Sequence, residues 1–271
     1  MHLNFQTAGE GPPLIILHGF LGSLDNWRAA SNRMISRFKI IRVDLRNHGH
    51  SPHHPAMSYP AMAEDIDEFF NQQNIASAHL LGHSMGGKVA MQFATTHPQR
   101  IEKLIVVDIA PKDYPASHEA TLVALRNLDL SSFASFGEID AALAPQIRAP
   151  NIRQFLMKNL ARRADANFCW RIDLEAILKN DHELTKPIVP THAFPKPACF
   201  IRGGRSDYVA DEDLPLIKKM FPRAEFVTIP DAGHWVHTDA TEDFLKIVTN
   251  FLGLEHGAPI PNGTAIGNTS R

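Results

Sequence analysis

The segment Gly82–Gly86 places a serine where it could act as a nucleophile. It reads Gly-His-Ser-Met-Gly, follows the apolar pair Leu80-Leu81 and precedes a helical pattern of apolar residues. A strand, a one-residue corner and a helix in this order are typical of a nucleophile elbow, in which a strained turn holds the oxygen of Ser84 clear of the sheet. The alternative is a glycine-rich strand-to-helix turn with an incidental serine.

A serine hydroxyl needs a base to remove its proton, and His234 is the best candidate. Among the 15 histidines, His234 lies in a loop beyond the final predicted strand, where Gly233 lets the backbone swing over the elbow. His237 is predicted to begin or pack the following helix. A loop histidine with no catalytic role is the alternative for His234.

The base needs a carboxylate to orient it, and the sequence offers two. Asp108 directly follows the buried strand predicted at Ile101–Val107. A charge at the end of such a strand must be paired or solvated in a pocket, which favours Asp108 as the acid. Asp207, after the next core strand, is the alternative acid, or belongs only to the first turn of a helix.

Two backbone amides are candidates for stabilising a tetrahedral oxyanion. The Met85 N–H lies at the start of the helix that follows Ser84, where the helix dipole is positive. The Phe20 N–H comes just after His18-Gly19, at the end of the first buried strand. A plain strand-ending turn is the alternative for the segment around Phe20.

Four histidines crowd into residues 48–54, and a transition metal could bind such a cluster. No carboxylate or cysteine is interleaved with them, and the glycine and proline there indicate a loop. We therefore predict no metal, and we expect Asp44–Ser51 to form a turn that buttresses the site. The protein's own residues supply the nucleophile, the base and the acid of this chemistry, so the sequence implies no cofactor.

The composition is that of an ordinary globular protein. The 271 residues are 44% hydrophobic and 21% charged, with a formal net charge of −2. This argues against a nucleic-acid partner, which would need a clustered basic face. No apolar stretch approaches the ~20 residues of a membrane span. The first residues, MHLNFQTAGEG, lack the features of a signal peptide, so we expect a cytoplasmic protein that acts on a small molecule. The oligomeric state stays open.

Strand-like and helical patterns alternate along most of the chain. Continuous apolar runs such as Leu14–Leu17 alternate with amphipathic segments, which predicts a mostly parallel sheet flanked by helices. In the middle of the chain the strand-like runs vanish and short amphipathic pieces replace them. We therefore predict an α/β core over residues 1–110 and 191–254, an all-helical cap over 111–190, and a flexible tail over 255–271.

Four segments together resemble the α/β-hydrolase family in content and order. They are His18-Gly19, the run from Asp44 to Ser51, Gly82–Gly86 and Gly233-His234. The resemblance covers essentially the whole chain outside the cap and tail. It implies an eight-stranded sheet with the cap inserted after the sixth strand, and a Ser–acid–His triad in which Ser84 and His234 match by position.

One departure from the family pattern concerns the acid. In most of the family it is the fourth residue of a Gly-x-x-Asp segment after the seventh strand, where this chain has Ser206. The same serine, with the acid moved to the end of the sixth strand, resembles the YbfF-type esterase branch. That resemblance implies Asp108 as the acid and Ser206 close to the catalytic histidine as a fourth member. It further implies esterase or thioesterase activity on acyl substrates, acyl-CoA among them.

We therefore expect a serine esterase or thioesterase that forms an acyl-enzyme on Ser84. Aromatic residues of the cap favour an acyl chain of short to medium length; they are Phe133, Phe136, Phe155, Phe168 and Trp170. A carbon–carbon bond hydrolase or a cofactor-free perhydrolase could use the same triad. A receptor that has kept the pocket without turnover is the alternative outside the enzymes.

Overall fold

The computed structural model describes residues 1–115, 118–165 and 167–253, and within them the core is a seven-stranded sheet. The strands are β1 Phe5–Ala8, β2 Pro13–Leu17, β3 Lys39–Val43, β4 Ala78–His83, β5 Ile101–Val107, β6 Leu160–Arg162, β7 Phe168–Trp170, β8 Ala198–Gly203 and β9 Ala224–Ile229. The sheet order is β1-β3-β2-β4-β5-β8-β9, and only β1 runs antiparallel to its neighbour. This arrangement confirms the predicted α/β fold class.

The sheet differs in one respect from what the resemblance implies. It has seven strands in the described residues instead of eight, because a single edge strand, β1, precedes the first parallel strand, β2. The cap therefore follows the fifth strand of this chain, β5, instead of a sixth.

Helices cover both faces of the sheet. They are α1 Arg28–Asn32, α2 Tyr59–Gln72, α3 Met85–Thr96, α4 Glu119–Arg126, α5 Phe136–Leu143, α6 Pro150–Met157, α7 Leu174–Thr185, α8 Leu214–Met220, α9 Val236–Asp239 and α10 Thr241–Gly253. Successive residues of a strand point to opposite faces. On β2, Ile15 and Leu17 join an apolar cluster with α2 and α3, whereas Leu14 and Ile16 join a second cluster with α1 and α10. None of the described helices has the length and apolar character to cross a membrane.

The cap contains a two-stranded ribbon, so the prediction that it is all-helical was wrong. Strands β6 and β7 pair antiparallel between α6 and α7. The apolar stripe of α6 continues to Leu160 in the sequence, but the helix ends at Met157. After the helix, the side-chain NH₂ group of Asn159 donates hydrogen bonds to the backbone carbonyls of Leu156 and Leu21. Strands of three residues are too short for an alternating pattern to show.

The boundaries predicted between the core, the cap and the tail stay predictions. The cap lies between β5 and β8, and its helices α4 to α7 contribute apolar residues to the cluster that contains α2 and α3. The cap is therefore packed continuously onto the core. The tail predicted over residues 255–271 lies outside the described residues.

Candidate active site

Ser84 lies at the sharp corner between β4 and α3. Its backbone has φ 52° and ψ −120°, and residues other than glycine rarely adopt a positive φ. A Cβ on Gly82 would overlap the carbonyl oxygen of Gly86, and a Cβ on Gly86 would overlap that of His18. The two glycines of the motif are therefore required by close backbone approach, and they hold Ser84 at the carboxyl end of β4.

His234 lies in the loop after β9 and bridges Ser84 to Asp108. Its Nε2 is 3.0 Å from the Ser84 Oγ, and its Nδ1 is 2.7 Å from the Asp108 Oδ2. Tyr208 stacks on the imidazole, with ring centres 3.9 Å apart and planes inclined by 19°. The two polar contacts and the stacking fix both the position and the rotation of the ring.

Of the two candidate acids, Asp108 lies beside His234 and Asp207 does not. Asp108 is only 1% exposed. Its Oδ1 accepts the Gly203 N–H at 2.9 Å, and its Oδ2 accepts the Ser206 hydroxyl in addition to facing His234. Asp207 is exposed, and within the described residues it has no hydrogen bond to His234. The structure thus brings together Asp108 and Ser206, the two residues that the resemblance implies.

The tautomer of His234 follows from the donors and acceptors around it. An ionised carboxylate can only accept hydrogen bonds, so the Nδ1 of His234 donates to Asp108. The lone pair of Nε2 then faces the Ser84 hydroxyl, which donates to it. In this state the imidazole can accept the serine proton.

His83 fixes the backbone of His234 from the side of the sheet. Its Nε2 is 2.8 Å from the His234 carbonyl oxygen. Burial, with a smaller effect from the neighbouring His234, holds the pKa of His83 well below its usual value, so the ring is neutral and this Nε2 donates. His237 lies in the short helix α9 and stacks on Trp27.

The N–H groups of Phe20 and Met85 are both available to a ligand. Neither donates a hydrogen bond to any group in the part of the chain that the structure describes. Met85 is the first residue of α3, where the helix dipole is positive. Gly19 brings the other amide close, because a Cβ there would lie only 3.4 Å from the Cβ of Ser84.

One residue of the histidine-rich loop supports the segment that carries Phe20. The Nε2 of His48 accepts the Leu21 N–H at 3.2 Å, and its Nδ1 lies 2.9 Å from the Arg46 carbonyl oxygen. Burial lowers the pKa of His48 to about 3, so the ring is neutral and Nδ1 donates. The other histidines of the loop are exposed; they are His50, His53 and His54. No group of three or more potential metal ligands exists among the described residues.

Two cavities meet at Ser84. The larger, about 560 Å³, passes His234 and reaches the cap at Phe155. The smaller, about 240 Å³, begins at Ser84 and extends along α3. Of the cap aromatics expected to hold an acyl chain, Phe155 does line the larger cavity, whereas Phe136 is largely exposed and packs edge to face on Phe168.

Lys88 is a residue of this region that was not predicted from the sequence. Its side chain is only 1% exposed, and it lies in the wall of the smaller cavity, one helical turn after Ser84. A signal was present, because Lys88 is the only charged residue of α3, which otherwise consists of small, apolar and uncharged polar residues. A lysine in such a helix needs either a buried partner or a ligand.

Comparisons with known proteins agree with this architecture. Residues 12–241 match the profile of the family described as alpha/beta hydrolase fold. The chain is 33% identical to esterase YbfF of Escherichia coli (strain K12), over 91% of this chain and 95% of that protein. It is 36% identical to the sn-1-specific diacylglycerol lipase ABHD11 of Mus musculus, over 89% of this chain and 81% of that protein. A solved marine microorganism esterase is 43% identical with a TM-score of 0.90, covering 92% of this chain and 98% of that one. The chain therefore belongs to the α/β-hydrolase fold family and is an esterase- or lipase-type member of it.

Proposed function

We propose that this protein is a serine hydrolase in which Ser84 attacks the carbonyl carbon of a carboxylic ester or thioester. The observation that carries the proposal is the hydrogen-bond chain from the Ser84 Oγ through His234 to Asp108. Among the described residues, His234 is the only basic group that contacts the buried Asp108 carboxylate. The charge of Asp108 therefore acts on the imidazole, where it stabilises the imidazolium that forms during attack.

In the first half of the reaction, Nε2 of His234 takes the hydroxyl proton while Oγ bonds to the carbonyl carbon. The Phe20 and Met85 amides donate to the resulting oxyanion, and each such donor is typically worth about 10²–10³ in kcat. The tetrahedral adduct then collapses, and the bond to the alcohol or thiol breaks. The leaving group takes the proton from His234, and the acyl group remains on Ser84.

In the second half, a water molecule replaces the leaving group. His234 accepts one proton from this water while its oxygen attacks the acyl carbon. Collapse of the second adduct releases the carboxylic acid, and His234 returns the proton to the Ser84 oxygen. One ester bond and one water are consumed, and the enzyme returns to its starting state.

Ester cleavage is supported by the relatives named as esterase and as diacylglycerol lipase. The acyl chain of short to medium length and the use of thioesters are our extensions of that activity. A cytoplasmic location, a small-molecule partner and the absence of a nucleic-acid partner stay predictions.

The test compares wild type with Ser84→Ala on p-nitrophenyl esters and on matching thioesters of increasing acyl length. We expect a stoichiometric burst of p-nitrophenolate from wild type and a loss of turnover of at least 10⁴-fold in the variant. Retained turnover in Ser84→Ala would end the serine mechanism. Tight binding without hydrolysis of any ester would favour a receptor. Cleavage of diketones faster than of simple esters would favour a carbon–carbon bond hydrolase, and faster formation of peracids would favour a perhydrolase.

A further inference from the structure

The smaller cavity has a nucleophile at one end and a buried cation in its wall. Ser84 and Lys88 both line it, and the Lys88 backbone N–H donates to the Ser84 carbonyl at 3.1 Å, across one turn of α3. The chemistry proposed above uses Ser84 and the Met85 amide but assigns no role to Lys88. A buried, ionisable group in the wall of a cavity is a candidate for ligand binding.

The contacts of Lys88 leave part of its ammonium group unused. Its Nζ donates to the Lys186 carbonyl at 2.7 Å, and the Thr185 carbonyl lies at the outer limit of a hydrogen bond, 3.5 Å away. The rings of Tyr59 and Tyr114 lie 5.0 and 4.7 Å from Nζ. An ammonium has three N–H donors, so one remains for a ligand.

The charge of Lys88 is not neutralised by a carboxylate at contact distance within the described residues. The exposed Asp113 acts on it only from farther away. Burial lowers the pKa of Lys88 to about 8, which still leaves the side chain protonated at neutral pH. Carbonyl groups and aromatic faces compensate a buried cation only in part, and a bound carboxylate would complete the pairing.

The two tyrosine hydroxyls nearest Lys88 in the same wall are already committed, and the wall also contains His118, whose Nδ1 lies 3.4 Å from the Asp181 carboxylate. The Tyr59 hydroxyl donates to the Leu184 carbonyl at 2.6 Å, and the Tyr114 hydroxyl donates to the Tyr208 carbonyl at 2.6 Å. The remaining surface is mostly apolar. The cavity thus offers a ligand an apolar passage with one cationic donor, which is the pattern of a site for an amphiphilic chain with an anionic end.

The position of His234 decides which part of an ester would enter this cavity. The leaving group must reach the Nε2 of His234 to take its proton, and His234 lines the larger cavity. The smaller cavity is lined by Met85 and Ile109 but not by His234. The oxyanion lies on the Phe20 and Met85 amides, and the leaving group points towards His234 in the larger cavity. The acyl chain therefore occupies the smaller cavity.

We propose that the smaller cavity is the acyl site and that Lys88 selects acyl groups that end in a carboxylate, that is, half-esters or half-thioesters of dicarboxylic acids. This inference rests on the proposed function, because it assigns the acyl half of that reaction. A volume of about 240 Å³ holds roughly eight non-hydrogen atoms at about 30 Å³ each. An adipoyl group places eight non-hydrogen atoms in this space, because its ninth, the carbonyl oxygen, lies on the Phe20 and Met85 amides.

One carboxylate of the protein opposes such a ligand. Asp207 also lines the smaller cavity, but its side chain is exposed, so water and salt screen its charge. Lys88 is buried, and its charge is screened much less. The attraction of an anionic ligand to Lys88 is therefore stronger than its repulsion by Asp207. Removing that repulsion in Asp207→Asn is expected to increase the preference for an anionic acyl chain.

The experiment measures a selectivity ratio, which is kcat/KM for p-nitrophenyl monoadipate divided by kcat/KM for the uncharged ester with an isopropyl group in place of the carboxylate. Wild type is expected to favour the anionic ester. Lys88→Met is expected to lower the ratio at least tenfold, since a hydrogen bond to a charged group is commonly worth a factor of about ten to a hundred. General damage to the enzyme cancels in the ratio.

Gln92→Met is the matched control. Gln92 lies one turn further along α3 and pairs with the Val189 backbone N–H and carbonyl at 3.1 and 2.9 Å. This variant loosens the same segment that Lys88 ties down, without changing the charge of the cavity. Its ratio is expected to stay within threefold of wild type, and thermal unfolding of both variants reports their folding.

A third ester places the carboxylate on the leaving group, as para-hydroxybenzoate. Lys88→Met should lose much less turnover on this ester than on the monoadipate. An equal loss on both esters would overturn the assignment of the smaller cavity to the acyl group. An unchanged ratio in Lys88→Met would show that Lys88 only anchors the cap. If Lys88→Met does not fold, the pH dependence of wild type provides the test. The selectivity ratio for the anionic ester must fall as the pH rises through about 8, because Lys88 loses its charge above its pKa. Hydrolysis that survives Ser84→Ala would instead end the proposed function itself.

Discussion

Replacing Asp108 with asparagine would reverse the hydrogen bond that orients His234. The asparagine carbonyl can keep the Gly203 N–H, but its NH₂ group then faces the Nδ1 of His234 and the Ser206 hydroxyl. A donor facing a donor favours the tautomer with the proton on Nε2, and that nitrogen can no longer accept from Ser84. The backbone φ of 52° at position 108 is tolerated by asparagine, so the fold is retained.

We expect the kcat of Asp108→Asn to fall by about 10⁴, which corresponds to about 5 kcal/mol of lost transition-state stabilisation. The assay is steady-state hydrolysis of p-nitrophenyl butyrate, with thermal unfolding as the check on folding. Asp207→Asn is the control and should change kcat on this uncharged ester less than tenfold. The assignment of Asp108 as the acid would be refuted if Asp108→Asn kept a tenth of the wild-type kcat. It would also be refuted if Asp207→Asn lost as much kcat as Asp108→Asn.

Three further predictions concern the histidine-rich loop, which supports the segment that carries the proposed oxyanion donor Phe20. His48→Phe leaves the buried Leu21 N–H unpaired and frees the neighbouring Phe20 amide, so we expect a loss of about 1–3 kcal/mol in stability by urea unfolding and at least a tenfold lower kcat. Dialysis of wild type against EDTA should leave kcat unchanged; a loss restored by zinc would revive the metal interpretation. Gly49 has φ 57°, and a Cβ there would overlap the Asp44 carboxylate, so Gly49→Ala should lower the free energy of unfolding by at least ~2 kcal/mol. A variant as stable as wild type would contradict that close contact.

The parts of the site that the sequence predicted are those whose signal is local. The elbow needs two glycines at fixed positions around Ser84, and the overlaps at Gly82 and Gly86 show why no other residue serves there. Asp108 was predictable because a charge directly after a buried apolar strand must find a partner. The pairing of β5 with β4 then places it beside the serine, since His83 is opposite Val107.

The parts that the sequence did not predict depend on contacts between distant segments. The environment of Lys88 is built by Tyr59 of α2, Tyr114 and the end of α7 at Thr185, which are far apart in the chain. The role of His48 likewise depends on Leu21, in another loop. Periodicity reports which face of an element is buried, but it carries no information about which other element covers that face.

The position of the acid has a consequence for Ser206. In most of the family the acid follows the strand equivalent to β8, and here Ser206 lies in that loop and donates to Asp108. Ser206 donates to the same Asp108 oxygen, Oδ2, that faces the Nδ1 of His234, and β5 and β8 are neighbouring strands. When one of the two positions supplies the carboxylate, the other must therefore supply a donor. A second carboxylate at Ser206 would instead place two like charges in contact.

We therefore predict that the carboxylate and the hydrogen-bond donor can exchange positions between residues 108 and 206. In the double variant Asp108→Asn/Ser206→Asp, the asparagine NH₂ would donate to the new carboxylate, and that carboxylate would accept from the Nδ1 of His234. We expect kcat to recover at least tenfold over Asp108→Asn alone, whereas Ser206→Asp alone should be impaired, because two adjacent carboxylates cannot both stay ionised at low cost. A folded double variant no more active than Asp108→Asn would show that the acid must stand on β5, and that Ser206 only positions Asp108.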